Sequence, residues 1–150
     1  MGQRDRVGGE WGVEYYESAA GEPVGSAWLD DLDEAHFAAW VAFVEMLLIP
    51  YGKNIPYRNW VKPLGDGLFE LRIDQPEHSL RSIFDSAERA EAKPKIAILL
   101  RAFCTFTGRR VVIVFGGYDK GTDPSKKRQQ RAIKRARKAL DAWRREPRRS

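Results

Sequence analysis

The sequence contains few residues that bind metals or form cross-links. It has one cysteine, Cys104, so no intramolecular disulfide can form, which fits a reducing compartment. The two histidines, His36 and His78, have no cysteine partners, so the sequence supports neither a zinc site nor a Ser/His/Asp triad. The glycines form no phosphate-binding motif. We therefore expect no metal and no cofactor.

Long apolar stretches are also lacking. No run approaches the ~20 residues that a bilayer-spanning helix needs. The first ten residues, MGQRDRVGGE, lack the apolar centre of a signal peptide. We therefore expect no membrane segment, no secretion and a cytoplasmic location.

The remaining composition is that of one folded domain with a strongly basic end. Apolar residues make up 43% of the 150 residues, and five residues are tryptophan, which is enough for a core. Residues 120–150 contain 13 Lys or Arg and three acids, a net charge of +10, whereas residues 1–119 carry −5. This asymmetry indicates a polyanion or an acidic protein as partner, or else a solvated helix face.

The C-terminal third has the pattern of a β-hairpin followed by a basic helix. Two runs rich in β-branched and aromatic residues, 96–106 and 109–115, are separated by Thr107-Gly108. Asp123-Pro124 predicts a helix start, with Asp123 as the N-cap, and the helix extends to about Arg145. Its apolar residues recur every three or four positions, which predicts a narrow packed seam and a wet basic face.

A short loop between the hairpin and the basic helix is the first place where we expect chemistry. Gly116-Gly117 is expected to end the second strand, because glycine packs no side chain in a ladder. The sequence GGYDKG then predicts a loop that presents three side chains: Tyr118, Asp119 and Lys120.

The N-terminal half predicts a strand, two helices and a second strand. Residues 11–18 are expected to form a strand, and residues 24–32 a short helix. Asp33 is the expected N-cap of a second helix, which carries a buried apolar stripe and ends at Pro50. Residues 68–73 alternate, with apolar side chains on one face and Glu70 and Arg72 on the other.

These elements predict an α+β fold, with a small antiparallel sheet backed by an N-terminal helical hairpin and followed by a basic helix. Residues 53–67 are expected to be a polar connection. Residues 74–94 form a charged excursion in which 79–91 are expected to be helical. Residues 1–10 and 146–150 are expected to be a flexible lead and a frayed tail.

Four segments, spread over about residues 13–140, resemble the RelE/ParE superfamily of type II toxin–antitoxin modules, in particular its phage-associated HigB-like branch. They are WLDDLDEA, VKPLGDGLFELR, LLRAF and GGYDKGTDP. The resemblance implies one RelE-like domain over residues 1–150, with a microbial-ribonuclease-like fold and an insertion at 74–95. It also implies a ribosome-dependent mRNA endonuclease that inhibits translation. Its partners would be the ribosome, mRNA and a cognate antitoxin, usually a small helix-turn-helix protein.

The resemblance also implies which residues act. Carried over by position, the catalytic residues are Arg72 of ELR, Arg101 of LLRAF, and Tyr118 and Lys120 of the loop. Basic residues expected to bind RNA or the ribosome are Lys62, Lys126, Lys127, Arg128 and Arg131. The ParE side of the superfamily has the same fold but inhibits DNA gyrase without cleaving RNA, so fold similarity leaves the activity open. A nucleic-acid-binding accessory protein is the third alternative.

The residues themselves allow this chemistry and also plainer roles. Metal-free RNA cleavage needs a base for the 2′-hydroxyl, cations for the phosphate charge and an acid for the leaving oxygen. Arg72 is either a phosphate clamp or a structural partner of Glu70, whereas the strand of Arg101 contains no acid. Tyr118 either has a catalytic or base-stacking role or is a loop anchor, and Lys120 either binds phosphate or is solvated. The reaction would proceed without a histidine near the loop.

Overall fold

Five strands form one sheet in the computed structural model, which describes residues 9–82 and 97–147. The strands are β1 (Gly12–Tyr15), β2 (Val61–Gly65), β3 (Leu68–Ile73), β4 (Leu100–Phe106) and β5 (Val111–Asp119). Their order is β1-β5-β4-β3-β2, and all neighbours are antiparallel except β1 and β5, which are parallel. The expected α+β class is confirmed. The sheet is mixed, because β1 adds to the edge of the hairpin in the same direction as β5.

Helices cover both faces of the sheet. They are a 3₁₀ helix (Ala27–Asp31), α1 (Glu34–Phe43), a π-helical turn (Val44–Leu48), α2 (Ile49–Tyr51), two short 3₁₀ turns (Gly52–Asn54 and Arg58–Trp60), α3 (Glu77–Ser82) and α4 (Lys126–Arg145). Helix α1 begins as predicted, since the Asp33 carboxylate accepts a hydrogen bond from the His36 amide at 2.9 Å. The first member of the predicted helical hairpin is only the five-residue 3₁₀ helix.

Two apolar clusters lie on opposite faces of the sheet. The larger joins the helical segment 34–51 to inward side chains of β3, β4 and β5, including Leu71, Ala102 and Val114. The smaller joins α4 to the other face, including Phe103 and Leu140. The alternation predicted for β3 is therefore correct: Phe69, Leu71 and Ile73 face α1, and Glu70 and Arg72 face α4.

The segment 53–67 contains a strand that the sequence analysis missed. Strand β2 pairs antiparallel with β3 through a tight turn at Asp66-Gly67, where both φ angles are positive, at 56° and 86°. Asp-Gly between two strands is a strong hairpin signal. Pro63 is tolerated because β2 is an edge strand and needs no hydrogen-bond donor on its outer side.

Strand β5 does not end at the glycine pair. It continues to Asp119, with Gly116 and Gly117 paired to Phe103 and Ala102 of β4. Gly117 is required there because a Cβ would lie 2.7 Å from the Trp28 indole and from the Arg101 carbonyl. The prediction of a loop at 116–120 was wrong for Tyr118 and Asp119, which belong to the strand.

The start of α4 also differs from the prediction. Ser125 is the N-cap, and its hydroxyl accepts a hydrogen bond from the Arg128 amide at 3.1 Å. The Asp123 carboxylate accepts from the Ser125 amide at 3.1 Å, so it supports the turn before the helix. Hydrogen bonds from the Ser125 side chain and from its amide lower the pKa of Asp123.

Other boundaries moved, and some predictions concern residues outside the described ranges. The first strand is Gly12–Tyr15, shorter than residues 11–18. Of the expected helix at 79–91, residues 79–82 belong to α3, and the rest lies outside the described residues. Residues 1–8 of the lead, 83–95 of the insertion and 148–150 of the tail lie outside the described residues.

The helical segment Glu34–Asn54 is long and apolar enough to cross a membrane by length and composition, with a mean hydropathy of 1.4 over its best window. The expectation that no stretch approaches this length was therefore wrong. Of that window 39% is buried inside the protein; Trp40, Phe43 and Leu47 are buried against the sheet, whereas Phe37 is exposed.

Candidate functional site

Three of the four residues predicted to be catalytic lie in one row across the sheet. Arg72 of β3 is directly opposite Arg101 of β4, and Arg101 is directly opposite Tyr118 of β5. Directly paired residues of antiparallel strands project from the same face. The two arginines and Tyr118 therefore share one face of the sheet, and it is the face that α4 covers.

Arg101 is buried and has an acidic partner. Its side chain is 7% exposed, and its Nη1 donates to the Asp74 carboxylate at 2.6 Å and to the Leu100 carbonyl at 2.9 Å. The search for acids on its own strand missed Asp74, which follows the end of the neighbouring strand β3. The Arg101 Nε has no hydrogen-bond partner, which leaves one donor of a buried guanidinium unused.

Tyr118 is buried too, at 3% exposure, and does not lie on a surface loop. Its ring stacks on Phe103 with centroids 6.3 Å apart. The guanidinium of Arg128, a residue of α4, lies 4.4 Å from the centroid of the Tyr118 ring. Burial raises the pKa of the phenol, and the negative charge of Glu70 raises it further. The hydroxyl has no partner, so a protonated donor is available beside Arg101.

Glu70 belongs to the same site, although it was not among the residues predicted to be catalytic. Its carboxylate is fully buried and accepts from the Arg72 Nε at 3.2 Å and from the Gln129 amide of α4 at 3.1 Å. The structural pairing of Arg72 with Glu70 is therefore observed. The alternation of β3 placed Glu70 on the same face as Arg72, and this was the signal that could have identified it.

The remaining predicted residues surround this row. Lys62 of β2 is directly opposite Glu70, and Lys120 lies in the turn after β5, where its amide donates to the Leu99 carbonyl at 2.8 Å. The first turns of α4 carry the other predicted basic side chains, of which Arg128 is half-buried and the rest exposed: Lys126, Lys127, Arg128 and Arg131.

Helix α4 covers the row. Gln129 and Arg128 contact Glu70 and Tyr118 from above, as described. Further along, Arg137 donates to the Leu64 and Gly65 carbonyls at 3.0 and 3.1 Å, and Arg144 donates to the Asp66 carbonyl at 2.9 Å. The second half of α4 is thus attached to backbone carbonyls of the β2–β3 hairpin. Its first turns contact side chains of the row through Gln129 and Arg128.

A histidine lies close to Asp119, contrary to the sequence-based expectation. His36 is 2.8 Å from Asp33 through Nδ1, and its Nε2 is 3.5 Å from the Asp119 carboxylate. The helix α1 and the end of β5 are distant in sequence, so spacing could not reveal this approach.

No metal centre or reactive thiol emerges from the described residues. Within residues 9–82 and 97–147, no three His, Cys, Asp or Glu side chains are grouped so that they could hold a metal ion. Cys104 is buried, and burial raises the pKa of its thiol, which keeps it protonated and unreactive. In comparisons with family models, curated proteins and solved structures, nothing matches this chain.

Proposed function

We propose that this protein is a cytoplasmic toxin of a type II toxin–antitoxin module that cleaves mRNA on the ribosome and is neutralised by an antitoxin. The observation that carries the proposal is the row formed by Arg72, Arg101 and Tyr118, together with the buried carboxylate of Glu70. Two guanidinium groups, a protonated phenol and a carboxylate on one sheet face are the groups that metal-free RNA cleavage needs.

Each group has a role in this reaction. Glu70 accepts the proton of the 2′-hydroxyl, and the 2′-oxygen then attacks phosphorus to give a 2′,3′-cyclic phosphate. Arg72 and Arg101 stabilise the negative charge that develops on the phosphate, and Lys120 helps to neutralise that charge. Tyr118 donates its proton to the departing 5′-oxygen. The raised pKa of the phenol suits an acid rather than a base at neutral pH.

RNA reaches this row only if the first turns of α4 move. Two polar side-chain contacts join these turns to the row. Gln129 donates a hydrogen bond to Glu70, and Arg128 makes a cation–π contact with Tyr118. Such contacts contribute about 1–3 kcal/mol each. Contacts with phosphates along a basic groove are of similar size, so RNA binding can displace these turns while Arg137 and Arg144 keep the rest of α4 attached.

Growth arrest on induced expression tests the assignment of the base. Glu70→Gln keeps the size of the side chain but removes the proton acceptor, so cleavage should fall by about 10²–10⁴-fold and arrest should be lost. Glu45→Gln is the matched control, because Glu45 is an exposed carboxylate that pairs with Arg81. Circular dichroism checks that both variants fold. Full toxicity of folded Glu70→Gln would contradict the proposal.

A non-catalytic gyrase inhibitor is the second candidate, and the burial of Arg101 and Tyr118 beneath α4 favours it. In that case the exposed bases of α4 bind the target, and Lys134→Glu with Lys138→Glu should abolish toxicity while Glu70→Gln keeps it. A DNA-supercoiling assay with purified gyrase separates this candidate from mRNA cleavage. A nucleic-acid-binding accessory role, the third candidate, predicts no growth arrest.

A further inference from the structure

A cavity of about 460 Å³ lies beside the row, between the 3₁₀ helix at 27–31, the end of β5 and one side of α4. The pairing of β1 with β5 ends at Val114, and the cavity follows the rest of β5, where Gly116 and Gly117 leave its floor without side chains. Its volume lies in the range of small-molecule sites. Tyr118 belongs both to the cavity lining and to the row, so the two sites are adjacent.

The lining has a glycine floor and opposite charges on α4 and on the 3₁₀ helix. Three aromatic side chains, Trp28, Phe103 and Phe115, lie beneath it and are buried, so the backbone of the glycine pair forms the exposed floor. On the α4 wall are Arg128 and Arg135, and neither has a carboxylate partner among the described residues. On the facing wall is Asp31, which makes no ion pair within the part of the chain that the structure describes.

The second carboxylate of the lining is already engaged. Asp119 accepts from the Gly121 amide at 2.9 Å and lies 3.5 Å from the His36 ring. Asp31 is therefore the carboxylate that is free to accept hydrogen bonds from a ligand. Arg135 is free to bind an anionic group, whereas Arg128 already lies over the Tyr118 ring.

We propose that this cavity binds one guanine nucleotide. The base would lie on the floor formed by Gly116 and Gly117, Asp31 would accept from its N1–H and N2–H, and Arg135 would bind its phosphate. Among the four RNA bases, only guanine offers a carboxylate two adjacent donors on its Watson–Crick edge. The inference rests on the proposed function in one respect, because it takes the nucleotide to be part of the RNA substrate next to the cleaved bond.

Titration of the full chain with GMP, AMP, CMP and UMP, followed by NMR, tests the cavity without requiring cleavage. The Trp28 indole N–H, which donates to the Gly25 carbonyl at 2.9 Å, and the Gly116 and Gly117 amides are the reporters. We expect GMP to shift these signals at lower concentration than the other three nucleotides. Equal binding of all four, no binding at millimolar concentration, or shifts confined to the outer face of α4 would overturn the proposal.

Two pairs of variants test the assigned contacts. Asp31→Asn should weaken GMP binding by about tenfold and remove the preference over AMP, since it removes a charge-assisted acceptor. Asp30→Asn, at an exposed neighbour outside the lining, should change nothing. Arg135→Ala should weaken all four nucleotides, whereas Lys134→Ala should not. If inorganic phosphate competes as well as GMP, the cavity is only an anion site and the base assignment fails.

The outcome is independent of the cleavage assay. Guanine-selective binding by a protein that leaves mRNA intact would support the cavity and contradict the endonuclease. Cleavage without GMP binding would support the endonuclease and contradict the cavity.

Discussion

Removal of the Asp74 carboxylate should destabilise the protein, because it leaves the Arg101 guanidinium buried without an anion. The Arg101 side chain is 7% exposed, and its Nη1 lies 2.6 Å from Asp74; only the Leu100 carbonyl remains as a partner. Breaking a fully buried pair costs about 3–5 kcal/mol. Asp74 is 44% exposed, so water already screens part of this interaction, and we expect Asp74→Ala to cost about 2 kcal/mol.

Urea unfolding followed by tryptophan fluorescence measures this loss, and a thermal scan should show a fall in Tm of about 4–8 °C. Glu45→Ala is the matched control, since Glu45 is 53% exposed and its pair with Arg81 should contribute less than about 0.5 kcal/mol. If Asp74→Ala costs no more than Glu45→Ala, the Arg101–Asp74 pair does not stabilise the fold and the argument from burial is wrong.

Three further changes have clear expected outcomes. Gly52→Ala should cost about 3 kcal/mol in urea unfolding, because Gly52 has a φ of 55° and a Cβ would overlap the Trp11 indole; an unchanged midpoint would contradict this. Tyr118→Phe should leave stability unchanged or raise it by up to about 1 kcal/mol, since the lost hydroxyl has no partner, while mRNA cleavage falls. Burial raises the pKa of Tyr16 to about 12, above its unfolded value of 10.0, so its stabilising contribution is complete below pH 10 and is lost as pH rises towards 12. Between these values the wild type should lose stability more steeply with rising pH than Tyr16→Phe, and equal slopes would refute the assigned shift.

Local patterns in the sequence predicted the elements that depend on local interactions. The alternation of Leu68–Ile73, the Asp33 N-cap and the existence of the β4–β5 hairpin all follow from neighbouring residues, and the structure has each of them. The α+β class follows from the order of these elements. Features that depend on distant contacts were wrong or missed. The parallel pairing of β1 with β5 is one example, because no local signal specifies a strand partner about 100 residues away.

The errors at the site have the same origin. Glycine propensity predicted the end of β5, but the packing of Trp28 on Gly117 makes a bare backbone favourable there, and the strand continues. Alternation placed Glu70 and Arg72 on one face, yet it could not show that α4 buries that face. The Asp74 partner of Arg101 was missed for the same reason, since the two residues meet only when β3 and β4 pair.

The account depends most on whether the row of Arg72, Arg101 and Tyr118 cleaves RNA. The direct measurement adds the purified protein to a defined translation reaction and maps new mRNA 5′ ends, with and without ribosomes. We predict new 5′ ends only on translated mRNA, and none when Arg72→Ala, Arg101→Ala and Tyr118→Phe are combined in a folded variant. Intact mRNA with the folded wild-type protein, or equal cleavage by the triple variant, would contradict the proposed function.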